Sequence, residues 1–243
     1  MYRERPSRLP GAVAWTVSPG DGPGREPRPI LPDGCMDLLW SEGVLRVAGP
    51  DTHAHTAAPG AAWAGLRLAP GAAPALLGVP AHALRDLRVE LADLWGAATA
   101  RRLAARIDPG DPALGLEDLA LSRAADGPAP EPWIAPVVRH LAEGGSVARA
   151  GEAVGLAPRR LHRRSLEAFG YGPKTLARIL RLQRALALVR GGTSYAEAAH
   201  RAGCADQAHL ARETKALAGM TLGAYEASAK SDTAMPSGSS TRA

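Results

Sequence analysis

Four arginines and a histidine crowd one short stretch, GLAPRRLHRR at residues 155–164. A glycine-led turn runs into Pro158. Proline suits the first helical position, because the amide hydrogen it lacks has no intrahelical partner there. In the helix that should follow, Leu161 is the one apolar residue among Arg159, Arg160, His162, Arg163 and Arg164. A helix anchored by one leucine and basic on its exposed side has the chemistry to enter a nucleic-acid groove. Taken alone, such a run is more readily a solvated basic face.

Three other groupings carry reactive side chains. Cys35 lies between Asp33 and Asp37 in DGCMD. Neighbouring carboxylates disfavour a thiolate, so an Asp-Gly turn with a buried cysteine is expected rather than a nucleophile. His53 and His55 in DTHAHT would share a face on a strand and so hold a metal together. The next acidic residue after them is Asp86, too far along to complete a compact ligand set, so an exposed loop or strand end is expected. Arg67 stands in GLR ahead of Pro70-Gly71. Pairing with Asp33 or Asp37 inside the domain is expected before pairing with an acidic ligand.

The elements that must position these groups divide the chain in two. Residues 1–130 hold 13 basic and 15 acidic side chains, a net −2. Residues 131–227 hold 14 basic and 8 acidic, a net +6. A basic C-terminal part beside a near-neutral N-terminal part points to a polyanion-binding module attached to something else. Hydrophobic content of 46% makes both parts able to bury a core, and with five Trp, four Tyr and one Phe those cores must rely on Ala, Leu and Val. Two distant cysteines form no disulfide framework, which suits a reducing cytoplasm. MYRERPSRLP has no apolar run of the signal-peptide kind, and no run approaches the length that crosses a membrane.

Within 1–122, residues 35–40, 44–48 and 63–68 are short apolar runs punctuated by Gly and Pro, as strands are. Residues 10–34 are expected to be loop-rich, with 19–29 a turn or mobile loop. Short helices are expected at 72–77 and 97–107. The N-terminal domain is therefore read as α+β with a small sheet. Residues 123–132 fall in a Pro-rich, semi-rigid linker. Residues 133–227 are read as all-α, and 228–243, rich in Ser and Thr, as a disordered tail.

In the all-α part, helices are expected at 133–143, 147–154, 158–169, 174–190, 195–202 and 207–217. Ser146, Ser194 and Asp206 are expected N-caps, Gly155 a left-handed C-terminal stop, and Gly203 a break. Along 174–190, Leu176, Ile179, Leu180, Gln183, Leu186 and Ala187 form one stripe, with Lys174, Arg178, Arg181 and Arg184 off it. The pattern then repeats. Val147 through Gly155 matches Tyr195 through Gly203 at an offset of 48. Beyond the turn the offset becomes 49, aligning Leu161 with Leu210, Arg163 with Arg212 and Gly170 with Gly219. A solvated basic face gives no reason for a repeated turn, helix and leucine. Two helix-turn-helix units joined by one long helix do.

These residues, GLAPRRLHRR, FGYGPKTLARILRLQRALALVRGG and YAEAAHRAGCADQAHLARETKALAGMTLGAY, resemble the AraC/XylS family of bacterial transcription regulators. LPDGCMDLLW and GLRLAPGAAPALLGVP resemble an uncharacterised N-terminal domain often fused to that module. The resemblance implies a one-component regulator that places two recognition helices in successive major grooves, about 34 Å apart. It puts base reading on Arg159, His162 and Arg163 in the first helix, and on Gln207, His209 and Arg212 in the second, where Ala208 can touch only a thymine methyl. Arg160, Arg164 and Lys174 are the expected phosphate contacts. With Asp206 and Glu213 making the second helix less basic, the first should supply more of the reading. The family usually has Phe where Ser165 and Thr214 stand, on the core side, so a less stable module or a rearranged core is expected.

Double-stranded DNA is the expected partner. RNA polymerase, a small-molecule effector and a second copy of the chain are further candidates. No enzyme activity, cofactor, metal or membrane partner is expected. The competing readings are a DNA-repair alkyl transferase with Cys35 as acceptor, and a metal sensor using His53 and His55.

Overall fold

The computed structural model describes residues 2–18, 29–56 and 60–230. Of the loop expected at 19–29, only Pro29 is described, and it opens a strand; of the tail expected at 228–243, residues 228–230 instead end a helix, and the rest of both segments lies outside the described residues. Six strands form one antiparallel sheet, in the order β1 (Tyr2–Pro6), β2 (Val13–Val17), β7 (Trp63–Leu68), β4 (Met36–Ser41), β5 (Val44–Ala48), β8 (Arg88–Glu90). A second pair joins β3 (Pro29–Ile30) to β6 (His55–Thr56). Alternation along the strands sends Ala14, Met36, Leu38, Trp40, Leu45, Val47, Ala64, Leu66 and Leu68 into the buried core. That face is covered by α1 (Ala73–Leu77), α2 (Leu91–Trp95), α3 (Ala97–Ala104) and α4 (Pro112–Asp126).

The α+β reading of this domain is correct, but the sequence underestimates its sheet. Residues 10–34 contain β2 and β3, and β1 precedes them. β1 is a charged edge strand, exposed along most of its length. Charge is how edge strands avoid pairing with strangers, and it also erases the alternation by which strands are recognised. The second omission is α4. Asp111 caps it by accepting from the Leu114 amide, and Pro112 sits in its first turn. It buries Ala113, Leu116, Leu119 and Ala120. It also continues through residues 123–126, so the irregular connection is confined to 127–133.

Seven helices follow: α5 (Ile134–Ala142), α6 (Val147–Ala153), α7 (Pro158–Phe169), α8 (Pro173–Arg190), α9 (Tyr195–Ala202), α10 (Gln207–Ala218) and α11 (Leu222–Lys230). The expected side-chain caps are made: Ser146 accepts from Arg149, Ser194 from Glu197 and Asp206 from His209. α8 is buried on more than the single expected stripe. Leu176, Ile179, Leu180 and Leu186 are joined in the core by Leu182, Ala185 and Val189, while Ala187 is exposed. The helix is surrounded by the others rather than lying on one of them. Among the described residues, no helix is long and apolar enough to cross a membrane.

Candidate nucleic-acid interface

The repeat extends to individual hydrogen bonds. After α6 the Leu156 amide donates to the Gly151 carbonyl, and after α9 the Cys204 amide donates to the Ala199 carbonyl, both at 2.9 Å. Gly155 and Gly203 sit at φ +65° and +79°, the left-handed conformation that closes such a turn. Leu156 and Cys204 are buried at matching positions. Cys204 therefore replaces a leucine in a core, and burial pushes its thiol up. Each recognition helix is then anchored by its leucine, Leu161 in α7 and Leu210 in α10, both fully buried.

On α7, Arg159, Arg160, His162 and Arg163 are all exposed. Among the described residues Arg159, Arg160 and Arg163 have no ion-pair partner. The His162 ring lies over Gly172, where a Cβ would come within 2.7 Å of it. Arg164 differs: it is half-buried and its guanidinium is 3.0 Å from Glu131. Lys174, in the first turn of α8, is exposed. On α10, Gln207, Ala208 and Arg212 are exposed. His209 is half-buried, and its Nδ1 accepts the Ala205 amide at 3.2 Å, closing the turn that leads into the helix. The structure thus presents two separate exposed faces, one per unit, each at the N-terminal half of its helix.

Several residues that position these faces carry no obvious sequence signal. Glu213 takes Arg178 through Nε at 3.1 Å and Arg181 through an Nη at 3.2 Å. Burial pushes its carboxyl up, but the two arginines outweigh that and hold it below the usual range. Glu213 therefore locks α10 to α8, beyond merely lowering the charge of α10. Arg184 donates to the carbonyls of Ala142 and Ala202, at the ends of α5 and α9. A cation at two helix C-termini complements both dipoles. Arg178, Arg181 and Arg184 are thus braces within the module.

The N-terminal domain grips the module from the other end of the recognition helices. Arg85 donates to the Gly170 carbonyl, just past α7, and the Ala54 amide donates to the Leu217 carbonyl near the end of α10. Gln183 of α8 donates to the Pro32 carbonyl at 2.6 Å. Gly71 approaches Ile134 and Phe169 so closely that a Cβ there would meet both within 3 Å.

The reactive groupings of the N-terminal domain fall into this framework. Arg67 is buried, with Asp33 at 3.4 Å and Asp37 at 3.8 Å, the internal pairing expected. Asp33 also accepts the Cys35 amide, and Gly34 has φ +87°, so DGC is a turn that buries Cys35. The turn abuts Leu176 of α8. His55 lies in β6, but His53 precedes the strand and is exposed beside Thr52 and Asp86. The two imidazoles therefore lack the common strand that the spacing argument assumed. Among the described residues no three potential ligands gather as a metal site.

A leucine-anchored helix after a tight turn, twice over and the first time strongly basic, on one shared scaffold helix is the double helix-turn-helix arrangement of a DNA-binding module. A helix-turn-helix domain family matches residues 151–228, and a domain of unknown function, DUF6597, matches residues 12–90. The chain thus carries a C-terminal helix-turn-helix domain of the AraC/XylS type behind an N-terminal DUF6597 domain. No curated protein matches it. Among solved structures, ToxT from Vibrio cholerae O395 is 9% identical, covering 88% of this chain and 96% of its own at a TM-score of 0.44. The same protein bound to (E)-4-(8-methylnaphthalen-1-yl)but-3-enoic acid is 10% identical, covering 94% and 99%, at 0.47.

Proposed function

We propose that the protein recognises an operator through two successive major grooves, with α7 as the dominant reader and the N-terminal domain as the sensing and dimerising part. The observation that carries this reading is the pair of equivalent, exposed helix N-terminal halves set on one braced helix. Arg159 and Arg163 have uncommitted guanidinium groups, and arginine is the commonest bidentate reader of guanine. In α10 the His209 Nδ1 is engaged in its own turn, which leaves Gln207 and Arg212 as the freer readers. Arg160 and Lys174, both exposed, serve as phosphate contacts in this reading, and Arg164 as a third once it leaves Glu131. The N-terminal domain touches the ends of both recognition helices, so a ligand or a second copy bound there has a physical route to the reading faces.

A regulator without catalytic activity is favoured over an alkyl transferase by the burial of Cys35 within the DGC turn, since an acceptor thiol must be reached by its substrate. Selection of a duplex from a random-sequence DNA pool, followed by titration of Arg163→Ala, tests the proposal. Loss of one good base contact should weaken binding to the selected duplex by about 1–3 kcal/mol, with relaxed preference at one base pair. Thermal unfolding should stay unchanged, because Arg163 is exposed and unpartnered. Intact binding by that variant would refute the assignment of α7.

A further inference from the structure

α7 carries four arginines, and Arg164 alone among them is in an ion pair. Its partner is not the nearby Glu167 of the same helix but Glu131, which belongs to the connection between the two domains. Glu131 is held there firmly. Its Oε2 accepts from the Trp133 indole at 2.8 Å as well as receiving Arg164, and its carbonyl accepts the Ile134 amide at the start of α5. Trp133 is itself buried, edge-on to Phe169 of α7 at 5.7 Å. The carboxylate therefore sits against the basic helix by construction, yet its side chain is 54% exposed.

We propose that Glu131 is an internal stand-in for a DNA phosphate on Arg164, so that the connection between the domains sets operator affinity. This rests on Arg164 being a phosphate contact. A guanidinium held by a carboxylate must give up that partner to take the phosphate, so each such exchange weakens binding by what the ion pair was worth. The phosphate still releases its condensed cation, but the freed carboxylate takes one up, so the net counterion release at this contact is lost. Because only residues 127–130 separate Glu131 from α4, a shift of the N-terminal domain has a short path by which to withdraw the carboxylate. The partner released to DNA in that event is a single, named side chain.

The test uses the full chain and the duplex selected above, titrated across a range of potassium chloride concentrations. Glu131→Gln keeps an acceptor for the Trp133 indole and removes the charge. It should bind about 1.5- to 5-fold more tightly, the range of an exposed ion pair. The dependence of log Kd on log salt should steepen by about one, the value for one added phosphate contact. Arg164→Ala should bind more weakly with a shallower slope, and the double variant should behave as Arg164→Ala alone. If Arg164→Ala weakens binding but Glu131→Gln leaves it unchanged or weakens it, Glu131 is a brace that aims Arg164, and the proposal is overturned. If the double variant binds more tightly than Arg164→Ala, the charge acts elsewhere, which also overturns it. If Arg164→Ala binds as the unaltered protein does, the phosphate assignment itself is wrong. Urea unfolding of each variant separates these outcomes from loss of fold.

Discussion

Ser165 and Thr214 occupy equivalent positions in the two recognition helices, and both are fully buried. Their hydroxyls fare differently. Thr214 Oγ1 donates to the Leu210 carbonyl one turn back at 2.9 Å, the helix back-bond open to such residues. Ser165 Oγ has no protein partner among the described residues. A buried hydroxyl without a partner costs about 1–3 kcal/mol relative to one that is satisfied. Ser165→Ala should therefore raise stability by about 1 kcal/mol, while Thr214→Ala should lower it by a similar amount through the lost bond and methyl group. Urea denaturation of the two variants checks this, and equal effects would contradict it. The sequence marked both positions as polar intrusions into a core. It could not separate them, because the outcome depends on a rotamer and on the space around it. The same limit hid Glu213 and Glu131, whose roles depend on arginines that reach them from other parts of the chain.

At the scale of elements, α5 to α10 were legible because each is bounded by its own chemistry, whereas α11 was not expected. Ser146, Ser194 and Asp206 start helices, glycines at positive φ end them, and the apolar spacing between is interrupted only by such residues as Ser165 and Thr214. β1 and α4 lacked such marks, and one buried residue shows how they depend on each other. Glu117 of α4 is fully buried and accepts both guanidinium nitrogens of Arg5, at 2.8 and 2.9 Å, and the Arg8 amide at 2.9 Å. An exposed strand is thus pinned to a helix more than a hundred residues away, a pairing that no local pattern announces. The hydrogen bonds from Arg5 outweigh burial and hold the Glu117 carboxyl at about 2, against 4.5 ordinarily. A depressed carboxyl stabilises the fold fully above its unfolded value and loses that contribution as pH falls toward the folded one. Allowing for the exposure of Arg5 and Arg8, the contribution is about 2 kcal/mol at neutral pH. Acid unfolding should therefore show a loss of that size between pH 4.5 and 2. Glu117→Gln should lack this loss and start less stable at neutral pH.

For the whole molecule, the decisive contacts are those between the N-terminal domain and the far ends of α7 and α10. The long helix α8 joins the two reading heads. The structure adds a second strut, because Arg85, Ala54 and Pro32 tie Gly170, Leu217 and Gln183 to one domain. Gly170 and Gly219 offer a controlled measure of what that strut contributes. Each follows its recognition helix, each is left-handed at φ +83° and +70°, and each donates to the carbonyl four residues back at 3.1 Å. Their surroundings differ. A Cβ at Gly219 would meet nothing within 4 Å, whereas one at Gly170 would come within 2.6 Å of Pro50 and 3.2 Å of the Ala81 carbonyl. Gly219→Ala should therefore cost only the left-handed strain of an L-residue, about 1–2 kcal/mol. Gly170→Ala carries the same strain and must also push Pro50 and the turn at Ala81 away. If the domains dock on α7 in solution as they do here, Gly170→Ala should exceed Gly219→Ala in a urea titration by about 1–3 kcal/mol, the cost of overpacking a filled site. Hydrogen exchange should place the extra loosening at residues 81–86, where the Asp86 amide donates to the Pro50 carbonyl, as well as at the end of α7. Equal losses in the two variants would mean that the N-terminal domain does not bear on the recognition helix, and the route from sensing to reading would have to run through the connection at residues 127–133 alone.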